Sequence, residues 1–146
     1  MNRVLLILGV VLVFGFINWQ IAAKERLRTS GDSILLELAP VDPRSLMQGD
    51  YMALNFAIAR QLPSEKDGVA VLRLDEKGVG RFVHLDSGSG LAPGEVRLKY
   101  RIRQGSPWIG TNGFFFHEGD AQRYAAAKFG VFKTNTAGDA MLVDLR

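Results

Sequence analysis

The chain contains no cysteine. Disulfide staples, thiolate nucleophiles and thiolate metal sites are therefore excluded, and the redox compartment stays open. Histidine occurs only at His84 and His117. His84 with Asp86, and His117 with Glu118 and Asp120, lack any recognised ligand spacing, so no metal is expected. Gly88-Ser89-Gly90 is not followed by Lys-Ser/Thr, so no phosphate loop and no cofactor is expected either. Internal repeats and low-complexity segments are also missing.

Charge is absent from Val4 to Ile17, and the apolar trend runs on through Trp19 and Ile21 to Ala23. Val4 to Ala23 is 20 residues, the length of one helical crossing of a bilayer. Asn18 and Gln20 fall near its end, where Trp19 would sit at the interface. The segment has no polar face to turn to water, which argues against the core helix of a soluble protein. A cleavable signal peptide is the competing reading, with Val4 to Ile17 as its apolar region. Its small-residue cleavage pattern is poor, Gln20-x-Ala22 or Ile21-x-Ala23, so an uncleaved anchor is expected.

The basic balance comes from the anchor's flanks. Arg3, Lys24, Arg26 and Arg28 face a single acid, Glu25, and the rest of the chain carries 14 basic and 14 acidic residues. A neutral soluble part does not support nucleic-acid binding. Counting positive residues around the span places the domain in the cytoplasm, because Lys24, Arg26 and Arg28 follow it. Long following domains are translocated regardless of charge, and an N-terminal anchor before a single domain commonly serves export.

The remainder reads as one β-rich domain. Residues 1–28 form the anchor and basic flank, and 29–146 the soluble domain. Lys24 to Asp32 is expected as a short charged link. Strands are expected at Ile34–Leu38, Tyr51–Ile58, Val69–Asp75, Val79–Leu85, Glu95–Arg103, Phe114–Phe116, Val131–Thr134 and Ala140–Leu145. Glu76-Lys77-Gly78 marks a hairpin, and Ser87–Gly94 and Gln104–Asn112 read as loops. Along Tyr51–Ile58, Met52, Leu54, Phe56 and Ile58 share the better core face. Glu95–Arg103 alternates most cleanly, with Val96, Leu98, Tyr100 and Ile102 on one side. Acids early, Lys128 late and Gly130 beyond suggest a helix near 118–129. The fold class is mainly β (α+β), barrel-like or sandwich-like, with closure favoured because it removes free edges.

Gly49-Asp50-Tyr51-x-x-Leu54-x-Phe56 resembles the signature of the bacterial GDYXXLXY family. Phe56 replaces its last tyrosine, which retains the ring and removes the hydroxyl. Val41-Asp42-Pro43-Arg44, Gly110-Thr111-Asn112-Gly113 through Phe116 with Glu118-Gly119, and Ala121-x-x-Tyr124-x-x-Ala127-x-Phe129-Gly130 also look like family segments. The resemblance implies an anchored envelope protein of the bacterial inner membrane with a periplasmic domain. It also implies a multi-spanning membrane protein beside it, and it brings no catalytic residues. Asp42, Pro43, Arg44, Gly49, Asp50, Tyr51, Leu54, Phe56, Thr111, Asn112 and Glu118 are the candidate binding residues. The blander reading is that Asp42 and Asp50 cap turn amides, Arg44 pairs with one of them, and Gly49 supplies a positive φ.

Two further features need weighing. Pro43, Leu46, Gly49 and Asp50 are similar to signal-peptidase-like serine proteases, but the nucleophile position falls on Pro40 or Val41, and Ser45 is out of register. Lys66, Lys77 and Lys99 are unmarked as bases, so a hydrolase is the lesser alternative. Arg97, Lys99, Arg101 and Arg103 line one strand face, where like charges repel unless acids lie opposite. Asp75, Glu76 and Asp86 are the candidate acids. A face for anionic lipid or an acidic partner is the functional reading, and Trp108 reads as an interface anchor. The expected function is a non-catalytic accessory or partner-binding subunit, with a small-ligand or peptide binding module as the alternative.

Overall fold

The computed structural model describes residues 2–39, 47–48, 51–117 and 120–146. Its first element is α1 (Asn2–Ser30), 29 residues, or about 43 Å at about 1.5 Å per residue. Arg3–Ser30 is long and apolar enough to cross a membrane, and its most apolar stretch is bare of protein contact. Among the described residues nothing covers Val4 to Ile17.

The expected link over Lys24–Asp32 is helical as far as Ser30. Thr29 Oγ1 donates to the Glu25 carbonyl and Ser30 Oγ to that of Arg26, both at 2.8 Å, and Glu25 pairs with Arg28 at 2.9 Å. These bonds carry the helix to the edge of the domain. Leu27, the one apolar residue in the charged stretch Lys24–Ser30, is buried at 6% exposure. Gly31 alone separates α1 from the first strand. Its amide donates to the Leu27 carbonyl at 3.1 Å, and its own carbonyl accepts from Lys133 Nζ at 2.9 Å. A side chain at Gly31 would run into the carbonyl oxygens of Leu27 and Thr134. The junction is packed.

β1 (Asp32–Glu37) follows directly. β2 (Met47–Gln48) and β3 (Tyr51–Ala53) are short. β4 (Gly68–Leu74), β5 (Gly80–Leu85) and β6 (Glu95–Arg103) come next. β7 (Ser106–Trp108) and β8 (Gly113–Phe115) precede a single helical turn, α2 (Ala121–Tyr124), and β9 (Phe129–Thr134) and β10 (Ala140–Leu145) close the chain. Three sheets result, in the orders β1-β9-β10, β2-β3-β8 and β5-β4-β6-β7.

The sheets curl around one core because they are joined at their edges. Leu35 bridges Val79 in parallel and Leu38 bridges Phe56 in antiparallel. Leu35 N–H also donates to the Gly78 carbonyl at 2.9 Å, and Lys99 N–H to the Gly138 carbonyl at 2.8 Å. The first and last of these contacts fasten β1-β9-β10 to β5 on one side and to β6 on the other. Ile34, Leu36, Leu72, Leu98, Ile109 and Phe132 are sealed in the interior.

Three expectations shift. The strand Tyr51–Ile58 stops at Ala53, and Ala57–Gln61 is a 3-10 turn. Ile58 and Leu62 are buried, and the turn is closed by the Ala59 amide on the Phe56 carbonyl at 3.0 Å and the Leu62 amide on the Ala59 carbonyl at 3.4 Å. The helix near 118–129 contracts to Ala121–Tyr124, because Lys128 and Phe129 amides both donate to the Arg146 carbonyl, at 2.6 and 2.7 Å. The loop Gln104–Asn112 contains β7, paired with β6 through Arg101↔Trp108 and Arg103↔Ser106. Its two-residue turn is Gln104-Gly105, with φ of 51° and 74°, the positive pair that a tight hairpin requires.

Candidate functional site

β6 organises the site because its two faces do opposite things. Leu98 and Tyr100 are buried, Val96 and Ile102 pack against the same cluster, and Lys99, Arg101 and Arg103 stand exposed on the other face. Tyr100 is 3% exposed, and burial pushes its phenol above the usual range.

The four cations meet different partners. Arg97 Nε donates to Asp86 Oδ2 at 2.7 Å, and its Nη2 to the Ser89 carbonyl at 3.0 Å. Lys99 Nζ lies 2.8 Å from Asp139 Oδ1. The Arg103 guanidinium sits 5.2 Å from the centre of the Trp108 ring, a cation–π distance. Arg101 has no ion-pair partner among the described residues. Of the acids named as cross-strand partners, Asp86 serves. Asp75 instead turns back on its own hairpin, where Oδ1 accepts from Lys77 and Val79 amides at 2.9 Å each.

Asp139 is held by the β9–β10 turn. Asn135 Oδ1 accepts from the Ala137 and Asp139 amides at 3.1 and 2.9 Å, and Asn135 Nδ2 donates to Asp139 Oδ2 at 3.0 Å. Gly138 has φ of 85°, and a Cβ there would lie 3.0 Å from Arg97 Cβ. The turn therefore presses its backbone onto β6. The ammonium of Lys99, then the Asn135 amide, hold the Asp139 carboxyl below its ordinary range. Asp86 is held low as well, by Arg97 first and then the Gly88 amide.

Past Arg97, these side chains meet α1. Lys24 joins Lys99, Arg101, Arg103, Trp108 and Asp139 around a cleft of about 220 Å³. Four cations thus face one carboxylate, at the place where the helix reaches the sheet. Trp108 is half-buried, with Nε1 donating to the Gly110 carbonyl at 3.2 Å. Sequence reasoning found the β6 ladder and missed Lys24 and Asp139. The signal for Lys24 was Leu27, a lone apolar residue that docks the helix end onto the domain.

The signature region is built differently. Leu54 and Phe56 are core residues at 2% and 3% exposure, and the Phe56 ring meets Phe132 edge-on with centroids 5.1 Å apart. Tyr51 pairs with Phe115 in the β3–β8 ladder. Thr111 Oγ1 accepts from the Gly113 amide at 3.2 Å, and the Asn112 carbonyl accepts from Leu54 N–H at 2.7 Å. Asn112 Oδ1 is buried with no partner among the described residues. Phe114 and Phe116 turn inward onto Tyr124, at 5.0 and 5.7 Å between ring centroids. Asp42, Pro43, Arg44, Gly49, Asp50 and Glu118 lie outside the described residues. Thr111 and Asn112 do not line the cationic cleft, but Gly110, which precedes them in the same segment, does.

His84 is exposed, with Nδ1 2.8 Å from the Leu85 carbonyl. Lys99, one of the three lysines weighed as a base, is committed to Asp139.

A family model described as "GDYXXLXY protein" matches residues 13–145. No curated protein and no solved structure matches the chain. The match spans nearly the whole sequence, and the chain belongs to the GDYXXLXY family.

Proposed function

We propose that this GDYXXLXY-family chain is a single-pass subunit of the bacterial inner membrane. In this reading its β domain stands on the periplasmic face, and it binds a multi-spanning membrane protein without performing chemistry of its own. The observation that carries the proposal is the junction. α1 enters the sheet through Gly31 alone, fastened by Leu27 and Lys133, and so the domain has a set height and orientation relative to the span. An anchor that only tethers needs no such fixing, whereas one that presents a surface to a neighbour in the same membrane does. The bare flank of α1 leaves that span free to pack against other helices, which in lipid associate through close van der Waals contact.

The partner surface in this proposal combines the segment 42–50 with Thr111 to Glu118. The test is affinity purification of the tagged full-length chain in mild detergent, with mass spectrometry of what is retained. A stoichiometric multi-spanning protein is the expected result. Recovery of the chain alone from several detergents would refute the accessory role. A second reading, a binding module for a small anionic ligand, rests on the cationic cleft. It predicts a rise in Tm on adding such a ligand.

A further inference from the structure

The cationic cleft has a depth as well as a charge. Val4 to Ala23 spans 20 residues, about 30 Å of helix, which matches the hydrocarbon thickness of a bilayer. Lys24 is the next residue, and a span over Val4 to Ala23 would set it within the headgroup layer, roughly 5–8 Å thick on each side. Because Lys24 lines the same cleft as Lys99, Arg101, Arg103 and Trp108, the domain's part of the cleft reaches down to headgroup level.

We infer that this cleft holds the phosphate of an anionic phospholipid in the leaflet where α1 ends; the inference rests on reading α1 as a membrane span. Asp139 neutralises Lys99 at 2.8 Å, which leaves Arg101, Arg103 and Lys24 to act on the headgroup. The planar guanidinium matches phosphate oxygens in pairs. Arg103 is steadied against the Trp108 ring at 5.2 Å. Tryptophan itself favours the headgroup layer. The charge is concentrated: outside the anchor flanks the chain is neutral, yet three of its exposed cations converge here beside a fourth from the helix. Depth favours a lipid over a free anion, and the position beside the span favours it over an acidic protein segment.

The experiment uses full-length protein reconstituted in nanodiscs containing phosphatidylcholine with or without phosphatidylglycerol. Native mass spectrometry then counts the lipids retained. Wild type is expected to retain phosphatidylglycerol preferentially. The variant R101Q/R103Q should lose that preference on the order of tenfold, since each basic residue near an anionic surface adds binding, while R101K/R103K, which keeps the charges but loses the paired guanidinium donors, should fall between that variant and wild type. K66Q/K77Q removes the same charge from outside the cleft and should behave as wild type. Equal retention of the two lipids, or a preference that survives R101Q/R103Q, overturns the inference. A loss that K66Q/K77Q reproduces assigns the effect to net charge and also overturns it. Inorganic phosphate that raises the Tm of detergent-solubilised protein with no lipid preference would make the ligand a free anion instead. An acidic partner that copurifies through Arg101 and Arg103, again with no lipid preference, would replace the lipid with protein. Carbonate extraction of the same membranes tests the span by itself. Protein that resists extraction but shows no lipid preference sinks only the cleft assignment, while protein that is extracted sinks the anchored reading.

Discussion

The signature region and the cationic cleft sit on one small domain and use their residues in opposite ways. Leu54 and Phe56, both signature positions, are packed into the core. Among the described residues no signature position lines the cleft, and its cations stand exposed where the helix reaches the sheet. Side chains of the first kind carry the fold, and among the second Arg101, with no ion-pair partner among the described residues, is the one whose exchange should disturb it least. The apolar positions of the family pattern, Leu54 and Phe56, thus mark packing, and contact with another molecule has to be sought at its polar positions or outside the pattern.

The sharpest way to break this comparison is to cut into the core half. Phe56→Ala removes a ring that is 3% exposed and is expected to destabilise the domain by about 3–5 kcal/mol, through lost transfer energy and the cavity left behind. Urea or thermal unfolding of the full-length protein in detergent measures it. Phe56→Tyr is the finer cut, since it restores the family's tyrosine. The ring lies against Phe132 and within 2.9 Å of the space above Gly130, so the added hydroxyl enters an apolar cluster. A cost of about 1–3 kcal/mol is expected if it finds no partner. A stability gain would show that a polar partner for the ring waits nearby.

Gly138→Ala tests the seam between the two halves. It forces an L side chain into a φ of 85° against Arg97 Cβ and the Lys99 amide, at 3.0 and 3.3 Å. About 1–2 kcal/mol is expected from the backbone conformation alone. Lys99 N–H donates to the Gly138 carbonyl, so hydrogen exchange at Lys99 should accelerate in this variant. Slow exchange there together with a lost Tm would mean that the seam holds and the strain is felt elsewhere.

How much of this was legible in the sequence follows from the range of the interactions. β6 was readable from Glu95 to Arg103, because alternation over nine residues is a local signal with few competitors. The strands Val131–Thr134 and Ala140–Leu145 were readable as short apolar runs. The end of β3 was not, since Leu54 and Ala39 amides find their partners on Asn112 and Asn55, far along the chain. The short helix failed in a related way: the carbonyl of Arg146, at the other end of the domain, captures the amides of Lys128 and Phe129. The cleft was half legible. Its ladder lies on one strand, but Lys24 and Asp139 arrive only through the docking of Leu27 and the turn at Gly138. For the loop residues 42–46, 49–50 and 118 the comparison stays with the sequence, as they lie outside the described residues.

Acid should loosen the cleft half before the core half. Asp86 and Asp139 are held low by Arg97 and Lys99, so their folded values lie below the unfolded value of about 3.9. A carboxyl depressed by folding stabilises the protein fully above its unfolded value, and that stabilisation is lost as pH falls through the folded one. The expected result is a Tm that is flat above about pH 5 and falls below about pH 4. In D86N/D139N the starting Tm is lower and the fall shallower. An unchanged acid limb in the double variant would assign acid sensitivity to other carboxylates, with Glu95 next in line because the Ala92 amide and then Arg73 hold it low.

Arg101→Gln should have the smallest effect on stability. The side chain is exposed and has no ion-pair partner among the described residues, and its backbone position on β6 is filled as well by glutamine. A change within about 0.5 kcal/mol is expected. The same substitution removes a cation from the cleft, so the variant should unfold like wild type and differ only in what it binds. A loss of more than about 1 kcal/mol would show that Arg101 is part of the fold. The contrast between a packed signature and an exchangeable charged surface would then fail at the residue where it predicts the cleanest separation.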